Sequence, residues 1–157
     1  MGTRSAIAVA HGDVIKAVYC HWDGYLEHNG EILQQHYNSA GANQLVSMGD
    51  ISSLRETIGE KHPFSRMDTL DDEGTTMSAE EYDSKYGNMT TFYARDRGED
   101  PADWSVFNSR EEFVSEMSHS GCEYFYLMDS GVWYVSTGDQ FQRLDVALES
   151  IQENEDA

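Results

Sequence analysis

Cations are what this 157-residue chain has least of: three lysines and seven arginines stand against twenty-nine acidic residues, for a formal charge of −19. So negative a surface repels phosphate backbones, which argues against direct nucleic-acid binding by the counterion-release route. Long apolar runs are missing as well, and no segment approaches the ~20 residues that a membrane span needs. The Ala-Ile-Ala-Val-Ala run at 6–10 is too short and too strand-like for a signal peptide. Cys20 and Cys122 lie far apart without CxxC spacing, so a reduced pair in a cytoplasmic protein is expected. Reaction signatures are absent too. There is no GxxxxGK[ST] phosphate loop, no GxGxxG after a strand, no HExxH and no GxSxG elbow. The acidic run at 68–74 lacks EF-hand spacing, because Leu70 falls at the third ligand position. No cofactor and no metal are expected, and the oligomeric state is left open.

What is present reads as one mixed α and β unit, of a length that buries roughly 70% of its unfolded surface. Residues 5–10 and 14–22 are β-rich runs joined by His11-Gly12-Asp13, predicting an N-terminal hairpin. In the second run Ile15, Ala17, Tyr19 and His21 share one side, and Val14, Lys16, Val18, Cys20 and Trp22 the other. Both sides are largely apolar, which predicts a central strand covered on two faces. Asp23-Gly24 breaks it, and a helix is predicted over 26–37 with Ile32, Leu33, His36 and Tyr37 on its apolar stripe. A second helix over 40–48 stops at Gly49. Capping boxes at Ser53–Glu56, Ser78–Glu81 and Ser109–Glu112 predict three helix starts. Gly121 ends the third helix. A strand is expected over 88–94, a hairpin over 122–128 and 132–136 turned at Asp129-Ser130-Gly131, and a last element over 139–152 with Phe141, Leu144, Leu148 and Ile151 on one stripe. The segment 63–77, where residues 67–74 offer little to bury, is expected to be the least ordered internal region. The expectation is a single α+β domain over 1–152: a mostly antiparallel sheet of about five strands covered by helices on one face, followed by an acidic frayed tail at 153–157.

Chemistry concentrates between Tyr19 and Tyr37, which holds three of the six histidines, one cysteine and one tryptophan. Imidazole and carboxylate converging on the turn can form an acid–base pair, making His21, Asp23 and Cys20 the candidate catalytic residues. Trp22, Tyr25 and His28 are candidate ligand contacts. His28 and His36 share a helix face only two turns apart, roughly 12 Å along the axis, too far for one mononuclear metal. The plainer reading makes His36 a core residue and Asp23-Gly24 ordinary turn chemistry. Arg95 and Arg97 are further candidate anion contacts, against the plainer pairing with Asp96, Glu99 and Asp100. Tyr124, Phe125, Tyr126, Trp133 and Tyr134 crowd the C-terminal hairpin, where one face should be core and the other a potential platform.

The opening Met1-Gly2-Thr3-Arg4-Ser5, the Tyr19-Cys20-His21-Trp22-Asp23-Gly24-Tyr25 block and the Ile32-Leu33/His36-Tyr37 pattern resemble an uncharacterised family of small proteins of tailed bacteriophages and some bacterial genomes. Gly49–Leu54, Ile58–His62, Tyr93–Glu99 and Gly131–Val135 carry the same resemblance. It implies a phage-type accessory protein in a bacterial host cytoplasm and transfers no catalytic residue. The chain is more acidic and lysine-poor than that family resemblance implies. The favoured expectation is binding to a host protein with a basic surface, in host takeover or counter-defence; imitation of nucleic acid is one reading of the charge, and a surface solvated for solubility is the plainer one. The alternatives are a small enzyme or ligand-binding protein with its site at the His21-Asp23-Tyr25 turn, and a structural component of a virion.

Overall fold

In a computed structural model of the chain, residues 3–98 and 103–156 are described, with side chains as far as Ile151. The strands are β1 (Ser5–His11), β2 (Val14–Cys20), β3 (Ile51–Ser53), β4 (Thr91–Phe92), β5 (Ser105–Phe107), β6 (Tyr124–Asp129), β7 (Val132–Ser136) and β8 (Gln142–Arg143). The α-helices are α1 (Glu31–His36), α2 (Ser39–Ser47), α3 (Ala79–Tyr86), α4 (Tyr93–Arg97), α5 (Arg110–His119) and α6 (Leu144–Asp156). A π-helical turn, Leu26–Gly30, leads into α1, and a 3₁₀ turn, Arg66–Thr69, lies between β3 and α3.

The strands form one mixed sheet in the order β4-β3-β2-β1-β6-β7-β8. Tight turns make the β1–β2 and β6–β7 hairpins, the second through Ser130 and Gly131 at φ 53° and 85°. β1 and β6 pair in parallel, so the intervening chain must cross over the sheet. β3 and β5 share one edge of β2: β3 takes Cys20, and β5 takes Ile15 to Ala17. The pairing is mostly antiparallel, as expected, and the sheet has eight strands rather than five.

Alternation along the strands divides the core in two, as the two apolar sides of β2 predict. Ile7, Val18, Cys20, Tyr126 and Trp133 face α1, α2 and α6 through Ile32, Leu33, Leu45, Val46 and Leu144. Ala6, Ala8, Ala17, Phe125 and Leu127 face α5 through Phe113 and Met117. The row of alanines makes this second face shallow, leaving room for Phe113, which sits edge-on to Phe125 with ring centroids 5.9 Å apart. Burying each such ring contributes about 2–3 kcal/mol. Helices therefore cover both faces, where one had been expected. The aromatic hairpin is packed on both sides, and Tyr134, one of its five aromatics, lies half-buried beneath the Arg110 guanidinium.

Other expectations need correction. Ser78 and Ser109 cap α3 and α5 through Glu81 N and Glu112 N, as their motifs predict. The Ser53 motif starts no helix, because Ser53 ends β3 and the chain beyond it is tied to residues 88–90. The strand expected over 88–94 shrinks to two residues, after which α4 begins. Phe141 lies before α6 and packs on Phe113 in the opposite core, so the stripe of α6 starts at Leu144. His36 is the last residue of α1, and it is exposed rather than in the core, while Ile32, Leu33 and Tyr37 are buried. α6 continues to Asp156, through most of the expected tail, and Ala157 lies outside the described residues.

Candidate functional site

β2 ends beside β3, with His21 N and Trp22 N donating to Ile51 O and Ser52 O at 3.0 Å each. Asp23 then adopts a left-handed φ of 55° and turns the chain back over β1. Gly24 can only be glycine. A Cβ there would stand 2.6 Å from Ser5 Cβ and 2.9 Å from the Thr3 carbonyl. Its N–H donates to Thr3 O at 2.8 Å and its carbonyl accepts from the buried Tyr126 hydroxyl at 2.6 Å. The wide turn that follows carries Asn29 inward, fully buried.

Around Asn29 the hydrogen bonds form one chain whose directions follow from its ends. Arg55 Nη1 can only donate, so His28 Nε2 accepts at 3.0 Å. His28 Nδ1–H therefore donates to Asn29 Oδ1 at 2.9 Å. The Asn29 amide nitrogen donates to Ser5 Oγ at 3.2 Å and Cys20 Sγ at 3.4 Å, and the thiol donates to Trp22 O at 3.6 Å. Cysteine, histidine and asparagine thus converge, but the carboxamide stands between the other two. A nucleophilic pair needs the imidazole to take the thiol proton. Here the sulfur receives a proton donor, and the imidazole faces away.

Burial drives the Cys20 thiol from an ordinary value of about 9 up to about 11, and the Cys122 thiol up to about 12. Both stay protonated at neutral pH and pack as small apolar groups. They lie in the two separate cores and are unbonded to each other. The linkage has a definite sign. Below pH 9 both states hold the thiol protons; above it the unfolded chain releases them first, so stability falls from pH 9 through 11. The expected slope approaches about 3 kcal/mol per pH unit when both thiols contribute. Urea midpoints from pH 8 to 10, below the range where the tyrosines whose hydroxyls burial also pushes up add to it, should show this decline, and a Cys20→Ala/Cys122→Ala variant should flatten it there. An equally steep decline in that variant excludes the thiols as its cause.

The remaining candidates are arranged more loosely. Tyr19 Oη and His21 Nδ1 are 2.7 Å apart, and the His21 ring meets Trp22 edge-on at 4.6 Å. Trp22 is 42% exposed, unusual for an indole. Asp23 is half-buried and offers its carbonyl to Asn29 N. Tyr25 lies 6.1 Å from the His28 ring. Among the described residues, no three His, Cys, Asp or Glu side chains gather as metal ligands. No protein-family model matches the chain, and no curated protein or solved structure matches it significantly. The site has to be read from its own geometry.

A second knot escapes sequence reasoning. The Asp96 carboxylate has no solvent exposure and accepts from His62 N at 3.1 Å, Phe92 N at 2.8 Å and Arg95 Nε at 2.9 Å. Arg95 also donates to Thr90 O and Gly59 O. The His62 ring, buried as well, stacks on Tyr86 at 5.5 Å and bonds Glu60 O and Thr91 Oγ1. Arg95, a candidate anion contact, is thus occupied by its neighbour. Arg97 lies over the Phe64 ring at 5.0 Å; Glu99 and Asp100, its expected partners, fall outside the described residues. His62 and Asp96 are thirty-four positions apart, and no spacing rule joins them. The one local signal was an acid in the first turn of α4, reaching back to the N–H of Phe92.

Proposed function

We propose that this is a binding protein whose acidic surface docks on a basic partner. The observation that carries the reading is where its carboxylates stand. Between 68 and 83, in the 3₁₀ turn, the loop after it and α3, Asp68, Asp71, Asp72, Glu73, Glu80, Glu81 and Asp83 are all exposed. Asp68 and Asp71 serve local backbone turns. The side chains of Asp72, Glu73, Glu80 and Glu81 hold no hydrogen bond among the described residues, so their charge is displayed to solvent. A block of like charge on short elements is poor folding material and good steering material. The His28-Asn29-Cys20 chain supports binding over catalysis from the other side, since its polar atoms are taken up by one another. In the phage setting implied by the sequence resemblance, the fitting partner is a host nucleic-acid-binding protein, met by a surface that imitates a phosphate backbone.

The test replaces Asp72, Glu73, Glu80 and Glu81 by their amides. Immobilised wild-type protein in bacterial lysate should retain a specific basic protein that the variant loses, that duplex DNA displaces, and whose association slows at least about tenfold with added salt. Retention by both proteins alike, or by neither, refutes the docking surface. Retention that DNA leaves unchanged refutes mimicry alone.

A further inference from the structure

A cleft of about 270 Å³ opens where the end of β3 meets the segment leading into the 3₁₀ turn and the inner side of α3; Arg55, Phe64, Arg66, Tyr82, Asp83 and Tyr86 line it. Two arginines lining one cleft are notable in a chain with 29 acids to 10 bases. With so many carboxylates available, an arginine left without one is available to something else. Arg55 uses Nη1 on two neutral acceptors, His28 Nε2 at 3.0 Å and Leu54 O at 3.4 Å. Its Nε and Nη2 have no partner among the described residues. The Arg66 guanidinium has no partner among them either.

Three rings, Phe64, Tyr82 and Tyr86, also line the cleft, and cations lie against two of them. Tyr82 and Tyr86 meet edge to face at 5.3 Å, and the Tyr82 hydroxyl is fixed on Pro63 O at 2.7 Å. The Arg97 guanidinium lies 5.0 Å from the Phe64 ring centroid and Lys85 Nζ 5.5 Å from that of Tyr86. Tyr86 is also braced by the buried His62 ring. The walls are therefore held before any ligand arrives, which lowers the ordering cost of binding.

We propose that this cleft binds a small aromatic phosphomonoester, its phosphate held between Arg55 and Arg66 and its ring lying against the tyrosines. Two guanidinium forks present more donors and more charge than one carboxylate can use, whereas a phosphate dianion with three terminal oxygens engages both. The volume lies just below the range of drug-sized pockets, so the occupant is a phosphorylated ring compound and not a nucleic-acid strand. Asp83 is the one carboxylate among the lining residues, and it opposes the anion.

Calorimetric titration of the full chain with phenyl phosphate tests the assignment, with inorganic phosphate and benzoate as comparison probes. Phenyl phosphate should bind saturably at sub-millimolar concentration, about tenfold or more tightly than benzoate. Inorganic phosphate should bind more weakly than phenyl phosphate, since it leaves the rings uncovered. Arg66→Gln, which removes no contact of the fold, should weaken phenyl phosphate about tenfold or more, and Asp83→Asn should tighten it severalfold. Arg55→Lys should also weaken it while circular dichroism shows the fold intact. No saturation by about 10 mM, equal affinity for benzoate, or an Arg66→Gln variant that binds as well as wild type overturns the proposal. Equal affinity for inorganic phosphate overturns the aromatic part of it. The amide variant at 72, 73, 80 and 81 leaves the arginines in place and should keep phenyl phosphate binding even where it loses a protein partner.

Discussion

Replacing Asp96 with alanine is expected to lower the unfolding free energy by about 3–5 kcal/mol, a large part of what a domain of this size possesses. The carboxylate has no solvent exposure and holds Arg95, itself only 15% exposed, through Nε at 2.9 Å and Nη2 at 3.2 Å. Truncation leaves that guanidinium without a counter-charge, held only by the Thr90 and Gly59 carbonyls and the face of the Phe92 ring. It also strands two backbone donors, His62 N and Phe92 N. This second effect separates Asp96 from a simple buried ion pair. Exchanging an isolated buried pair for two apolar residues is often neutral. Here an Asp96→Leu/Arg95→Met double variant should stay destabilised, because no apolar side chain satisfies the two N–H groups. Asp96→Asn should fall between wild type and alanine, since its one oxygen still accepts while its amide confronts donors. Urea unfolding of the four proteins decides the matter. A loss below about 1 kcal/mol for Asp96→Ala, or recovery in the double variant, contradicts this account.

That knot also shows why parts of the molecule were legible in the sequence and others not. Elements with a local cause could be read. Ser109 with Glu112 and then Phe113 and Met117 at helical spacing contain the whole case for α5. Asp129-Ser130-Gly131 does the same for the second hairpin, and the two apolar sides of β2 foretold two cores. β3, β5 and β8 are two or three residues long, too short to show a period, and exist because a neighbouring edge accepts them. The Ser53 box failed for the related reason that Arg55 N is bound by Thr90 Oγ1, thirty-five residues away, and the backbone stays extended. The candidate cleft was harder still. Arg55, Phe64, Arg66 and Tyr82 meet only after β3 and β4 pair, and nothing in their spacing announces it. The sequence instead drew attention to Tyr19–Tyr37, where the hydrogen-bond chain through the buried Asn29 offers a structural reason for the density of unusual residues.

The structural reason can be tested directly at Asn29. Asn29→Ala should cost about 3 kcal/mol: it removes three hydrogen bonds, leaves the His28 Nδ1–H and the Ser5 hydroxyl without their partner, and opens a void against Cys20. His28→Ala should cost only about 1 kcal/mol, because the ring is half-buried and Arg55 turns to solvent in its absence. A catalytic or ligand-binding role for the turn predicts the reverse order of importance, with His28 decisive for function and Asn29 dispensable. The ranking of the two midpoints in urea therefore separates the readings without any assay of activity. Both variants should bind the basic partner with wild-type affinity wherever they remain folded, since neither touches the carboxylates at 68–83. If Asn29→Ala keeps its midpoint within about 0.5 kcal/mol of wild type while His28→Ala loses the partner, the turn is a site after all. The buried carboxamide holds the π-helical turn on β1 and β2, and that turn in turn places His28 against Arg55, one of the two arginines that line the candidate cleft.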